Sequence, residues 1–218
     1  MIFDLDGTLC DTSKDLLAAA NAAFRGMGRD VVLDHADPEA RATALRGGRP
    51  MLRLGLGRLG AVDEDEVDRG YRPLLDAYGE GVCVHTRFFP GAREAVERLR
   101  GDGYAVGICT NKPEALAVSL MAALGAAAAF DSLVGADTLP TRKPDVAPFA
   151  EAVERAGGDP ARSVMVGDTA TDRDTARAAG VPYILYGPAA APDAPPGDVT
   201  IDDYAALGEA VAGLIGRP

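Results

Sequence analysis

The sequence predicts an α/β protein, a parallel sheet layered by helices on both faces (α/β/α), with a helical module inserted just after the first strand. Three observations carry this. Over 85–218, short apolar runs alternate with longer amphipathic stretches, the pattern of strand–helix–strand units. Over 12–84 strand signals nearly vanish and helical periodicity takes their place. Ahead of both regions the acidic string Asp4-Leu5-Asp6-Gly7-Thr8 follows the first apolar run directly. The expected division is therefore a sheet-bearing core at 1–11 and 85–218, with a helical cap at 12–84.

Taken in order, the apolar run 1–3 reads as the first strand. It is shorter than the usual five or six residues, which points to a start that is truncated or misassigned. The first cap helix carries Leu16, Leu17, Ala20, Ala23, Phe24 and Met27 at helical spacing, with Thr12 or Ser13 to cap it and Gly28 to end it. Further cap helices are expected at 37–46, 49–60 and 64–79, the last opened by the acidic run 63–66, which favours a helix N-terminus. In the core, strands are expected at 105–109, 132–134, 164–166, 183–185 and 199–201, and helices at 91–101, 113–124, 145–157, 171–179 and 203–215. Thr171 with Asp174 forms a capping-box-like pair, and Gly180 and Pro182 close that helix. The stretch 187–198, rich in Pro, Ala and Gly, reads as an exposed loop.

With 218 residues, the chain buries a sizeable core without staples. Its formal charge of −11 is the wrong sign for a nucleic-acid surface or for anionic lipid. No run of 18 apolar residues and no secretory signal occurs, so a cytoplasmic protein is expected. Cys10, Cys83 and Cys109 are an odd set without CxxC spacing, which suits reduced thiols. His35 and His85 form no zinc-binding pair, and no GxSxG elbow or P-loop is present. An acidic protein that handles an anionic substrate must build a local positive pocket, and a divalent metal is the simplest means.

A chance D-x-D-G-T string arises in on the order of 0.002 of chains this long, from average residue usage. Residues i and i+2 of a strand share a face, so Asp4 and Asp6 project together past the strand's C-terminal end, where open α/β sheets bind ligands. An EF-hand is excluded, because its glycine belongs at loop position six and Gly7 stands at four. Asp4 can serve as a nucleophile and Asp6 as an acid and then a base. Thr110-Asn111 ends the 105–109 strand and offers a hydroxyl and an amide to phosphoryl oxygens. Lys143-Pro144 supplies a cation, and Gly167-Asp168-Thr169-Ala170-Thr171-Asp172 follows the 164–166 strand. A carboxylate approaching a phosphate meets roughly 5 kcal/mol of repulsion per charge pair at about 3.5 Å and effective ε of ~20. Mg²⁺ held by Asp4 and Asp168 would cancel it, with Lys143 adding a second positive charge.

DLDGTL, the TNKP string at 110–113, Lys143-Pro144 and GDTATD resemble the four motifs of the haloacid dehalogenase superfamily, in the same order. DGTLCDTSKDL, FPGAREAVERLRGDGY, GADTLPTRKP and VGDTATDRDTARAAGV are most similar to its phosphoglycolate phosphatase branch. The resemblance covers essentially the whole chain. It implies a Rossmann-like core with an inserted α-helical cap, and a Mg²⁺-dependent phosphatase working through an aspartyl-phosphate. In that reading Asp4 is the nucleophile and a metal ligand. Asp6 is the general acid and base, its backbone carbonyl also binding metal. Thr110 and Lys143 hold the phosphoryl group, Asp168 is a further ligand, and Asp172 supports the metal and orients Lys143. One departure stands out: after Lys143-Pro144 the next proline is Pro148, where the branch has KPxP.

The expected substrate is a small anionic phosphate ester, 2-phosphoglycolate first, with a sugar phosphate, a nucleotide or pyrophosphate as alternatives and a phosphomutase behind them. Neither nucleic acid nor membrane is expected as a partner, and the protein would work as a monomer or homodimer. Arg46, Arg49 and Arg53 at i, i+3 and i+7 would share one side of a helix. That side is either a solvated face or a surface in which Arg46 and Gly47 meet a substrate carboxylate. The string Gly55–Gly60 is formally G-x-G-x-x-G, but no strand precedes it, which argues against dinucleotide binding.

Overall fold

The computed structural model describes residues 1–187 and 197–218. Residues 188–196, most of the expected loop at 187–198, lie outside the described residues. The chain divides into two compact units: Met1–Cys10 with Phe88–Pro218, and Asp11–Arg87. Strand β1 (Ile2–Phe3) opens the first unit, and the chain leaves it through β2 (Cys10–Asp11) and returns through β3 (Arg87–Phe88).

The unit Asp11–Arg87 is built of α1 (Ser13–Gly26), α2 (Pro38–Ala44), α3 (Gly48–Leu59) and α4 (Glu64–Glu80). Its core is the set of apolar faces that the periodicity marks: Leu16, Leu17, Ala20, Ala23 and Phe24 of α1, Met51, Leu52 and Leu56 of α3, Val67, Leu74 and Tyr78 of α4. Gly55 lies inside α3, and a Cβ there would come 2.1 Å from Phe24 Cζ. The glycine string is thus a close helix crossing, not a phosphate loop.

Two expectations about this unit need correcting. Thr12 occupies the N-cap place of α1 without a side-chain capping bond. Ser13 instead binds Asp11 through its amide and hydroxyl, at 3.1 and 2.5 Å, and its Oγ lies 3.0 Å from His35 Nε2. Arg46 is not on one helix with Arg49 and Arg53, since α2 ends at Ala44 and α3 starts at Gly48. Gly47, at φ 105°, breaks the helical run between them. Arg49 pairs with Asp68 and lies 4.4 Å over the Tyr71 ring, while Arg53 pairs with Glu64 at 2.8 Å.

In the sheet-bearing unit follow α5 (Ala92–Gly101), β4 (Gly107–Cys109), α6 (Glu114–Ala123), β5 (Ser132–Val134) and α7 (Val146–Arg155). Then come β6 (Met165–Gly167), α8 (Ala170–Ala179), β7 (Tyr183–Tyr186), β8 (Val199–Ile201) and α9 (Leu207–Ile215). The sheet runs β5-β4-β1-β6-β7-β8, with every pairing parallel. The expected strand at 105–109 is shorter because Val106 exchanges its backbone bonds with Asp131, its amide going to the carboxylate at 2.9 Å. Phe149, Ala152 and Val153 of α7 pack with Ile2, Cys109, Val134 and Met165 into one core cluster. Each large side chain so buried contributes about 1.5–3 kcal/mol.

The strand order reverses at β1, whose neighbours β4 and β6 lead to opposite edges of the sheet. Such a switch point leaves a crevice at the carboxyl ends of the central strands.

Candidate active site

Phe3 stands level with Ile108 of β4 and Val166 of β6. One step further along the three strands come Asp4, Cys109 and Gly167, and the next step brings Thr110 and Asp168. Parallel register alone therefore gathers three motifs at the switch point. The Asp4 amide continues the ladder to the Val166 carbonyl at 2.9 Å, while Phe3 and Leu5 on either side are wholly buried.

Lys143 reaches the same place from the segment between β5 and α7. Its Nζ donates to Asp4 Oδ1 at 2.8 Å and to Asp172 Oδ1 at 2.6 Å. Asp172 is fully buried, and its other oxygen accepts from the Thr169 amide and hydroxyl at 3.1 and 2.6 Å. Both oxygens of Asp172 are thus engaged, which suits an orienting role. The Thr169 hydroxyl also receives the Asp172 amide, so the capping box of α8 is Thr169 with Asp172. This corrects the expected Thr171–Asp174 pair.

Asp168 accepts from the Thr8 hydroxyl at 2.7 Å. Gly7, at φ 87°, turns the motif loop beneath it, and a Cβ there would come 2.4 Å from Asp168 Oδ2. Only glycine leaves that space open. Tyr204, fully buried, donates its hydroxyl to the Thr8 carbonyl at 2.6 Å and anchors the loop from behind.

Thr110 is buried, its amide bonded to Val134 and its hydroxyl accepting the Lys112 amide at 3.2 Å. Asn111 donates its side-chain amide to the Lys143 carbonyl at 3.0 Å, so it also fixes the segment that carries the lysine. Asp6 is met by a residue the sequence reading passed over: Lys112 Nζ lies 2.8 and 3.0 Å from its two carboxylate oxygens. The signal was present, because Lys112 sits two residues beyond Thr110 in the TNKP string. Thr8 was likewise visible in the first motif, whereas Tyr204 has no local sequence cue.

Burial pushes the Asp4 carboxyl up to about 6, Lys143 opposing it and the charges of Asp172 and Asp6 adding to it. Burial raises Asp168 well above the ordinary carboxylate range too, and the nearby Asp4 and Asp172 charges push the same way. For Lys143, burial disfavours the charge, but Asp172 and Asp4 outweigh it and keep the ammonium protonated. Ligand atoms of Asp4, Asp168 and Asp172 all lie within 4.8 Å of one another. With all four ionised, Asp4, Asp6, Asp168 and Asp172 carry two more charges than the ammonium groups of Lys143 and Lys112 balance, and the raised Asp4 and Asp168 are the response of the site to that excess. A divalent cation with oxygen ligands fits that deficit.

A sequence profile of haloacid dehalogenase-like hydrolases matches residues 1–180. A phosphoglycolate phosphatase of Mesorhizobium japonicum is 40% identical over 185 residues, 84% of this chain and 80% of that protein. One from Agrobacterium fabrum is 36% identical over 94% of this chain and 89% of its own length. The crystal structure of a predicted phosphoglycolate phosphatase from Haemophilus somnus superposes with a TM-score of 0.79 at 25% identity, covering 96% of each chain. With its motif residues gathered in family order around β1, this chain belongs to the haloacid dehalogenase-like hydrolases.

Proposed function

We propose that the protein is a Mg²⁺-dependent phosphomonoesterase that hydrolyses 2-phosphoglycolate to glycolate and phosphate. The carrying observation is the Asp4–Lys143–Asp172 cluster with Asp168 beside it, a buried anionic site short of two positive charges. The names of the curated relatives support the substrate. Asp4, Asp168 and the Asp6 backbone carbonyl would hold Mg²⁺, with Asp172 supporting them. When bound, Mg²⁺ offsets the repulsion between the nucleophile and the phosphate.

In the first half-reaction an Asp4 carboxylate oxygen attacks phosphorus while Thr110 and Lys143 hold the phosphoryl oxygens. The bond from phosphorus to the ester oxygen breaks, and that oxygen keeps the electron pair and takes a proton from Asp6, releasing glycolate. In the second, Asp6 accepts a proton from water, and the water oxygen displaces Asp4 from phosphorus. Phosphate leaves and Asp4 is regenerated. We assign Asn111 to the phosphoryl end, and Arg46 with Gly47 to the substrate carboxylate, which a guanidinium can grip with two hydrogen bonds. No helix of the described residues is long and apolar enough to cross a membrane, which is compatible with a cytoplasmic setting.

The test is phosphate release from a panel of small phosphate esters, with and without Mg²⁺, beside Asp4→Asn. The expected result is a preference for 2-phosphoglycolate that EDTA abolishes and that Asp4→Asn lowers by about a thousandfold or more. Preference for a sugar phosphate, a nucleotide or pyrophosphate would overturn the substrate, and undiminished activity in Asp4→Asn the nucleophile.

A further inference from the structure

We infer that Lys112 is a positioning residue for the acid–base carboxylate of Asp6, acting through Asp6 and not on the substrate. The inference rests on the role proposed above for Asp6. The two carboxylates of the first motif are served by two lysines from different loops. Lys143 is shared between Asp4 and Asp172, whereas Lys112 spans both oxygens of Asp6 at 2.8 and 3.0 Å.

The Lys112 side chain is 3% exposed and that of Asp6 16%, so a buried ammonium grips a carboxylate that opens toward solvent. Its backbone is pinned on both sides: its amide donates to Thr110 Oγ1 at 3.2 Å and its carbonyl accepts from Ala136 at 2.9 Å. The lysine therefore projects from a fixed point beside the phosphoryl-binding Thr110. A general acid must bring one oxygen within hydrogen-bond reach of the leaving group and later of the water. An untethered aspartate populates several rotamers, and most of them miss that place. Contact with both oxygens sets the plane of the Asp6 carboxylate before substrate arrives. The Thr110-x-Lys112 spacing thus lets one turn serve the phosphoryl oxygens and the proton donor together.

A double-mutant cycle tests this with Lys112→Met, Asp6→Asn and both together, measured as phosphate release from the best ester of the panel. The single change Lys112→Met is expected to lower kcat about 10- to 100-fold, as misplacing a catalytic group does, with KM within about threefold. On the Asp6→Asn background it should cost less than about twofold, since a residue that acts through another has nothing left to position. Lys112→Gln, which keeps two N–H donors in a similar volume, should recover part of the kcat and covers the case in which Lys112→Met fails to fold.

Losses that multiply in the double variant, or a raised KM with kcat intact, would overturn the inference and make Lys112 a substrate contact or a structural prop. That outcome is distinct from failure of the functional reading, in which the wild type releases phosphate from no ester and both fall.

Discussion

At the scale of single residues, Lys143 has the most at stake. It is 4% exposed and pairs with two buried carboxylates, those of Asp4 and Asp172. Lys143→Met should unfold about 3–5 kcal/mol more easily in urea, because removing one partner of a buried ion pair strands the others. It should also lose phosphate release, and Lys143→Arg should restore neither, since a planar fork does not replace a point charge held 2.6 Å from Asp172. Full stability in Lys143→Met would show that the carboxylates simply take up protons instead. Asp4, Asp6, Thr110 and Asp168 were legible in the sequence because each lies at or just past the end of a strand's apolar run, whereas Lys143, between β5 and α7, and Asp172, inside α8, were legible only through the motifs that carry them. The lysine of Asp6 was only half legible: Lys112 is 106 positions from its partner, and nothing local announces which carboxylate a lysine meets.

At the scale of elements, strands and helices followed the apolar periodicity, and the errors fell at their ends. Two frames, Thr169 to Asp172 and Thr171 to Asp174, both satisfy the capping-box spacing at the start of α8. Spacing cannot choose between them. The choice is made by Lys143, which holds Asp172 inside the core and leaves Asp174 to an exposed pair with Arg173. The expected arginine face failed for a similar reason, because Gly47 at positive φ ends one helix before the next begins. The short segment at Tyr204–Ala206 falls within the expected helix at 203–215, but periodicity says nothing of its reach back 196 positions to brace the first motif. Tyr204→Phe removes one buried hydrogen bond and should cost about 1–2 kcal/mol in urea unfolding. If the loop holding Thr8 depends on that brace, Mg²⁺ affinity drops as well, and an unchanged affinity would restrict Tyr204 to packing.

For the whole molecule, the acidic cluster couples folding to pH and to metal. Asp4 titrates near 6 when folded against an ordinary value of 3.8, so the folded state holds the extra proton between these values. Stability of the metal-free protein therefore falls as pH rises through that window, and Asp168 acts in the same direction. In the proposed function Mg²⁺ would take the carboxylates in their ionised form, so its gain in Tm should be larger at pH 7.5 than at pH 5. Thermal unfolding at both values checks this, and equal gains would place the metal elsewhere. The insertion at residue 11 also has a consequence for synthesis on the ribosome. Ile2 lies at the centre of the finished sheet, but its neighbour in β4, Gly107, is translated 105 residues later. At about 5–20 residues per second, the strand that leads to Asp4 waits on the order of 5–20 s for its first partner. The helical unit meanwhile is one continuous stretch, Asp11–Arg87, complete before Gly107 is made. In the nascent chain, the first-made strand thus stays unpaired until β4 emerges, and Asp4 and Asp168 stay apart until β6 joins the sheet.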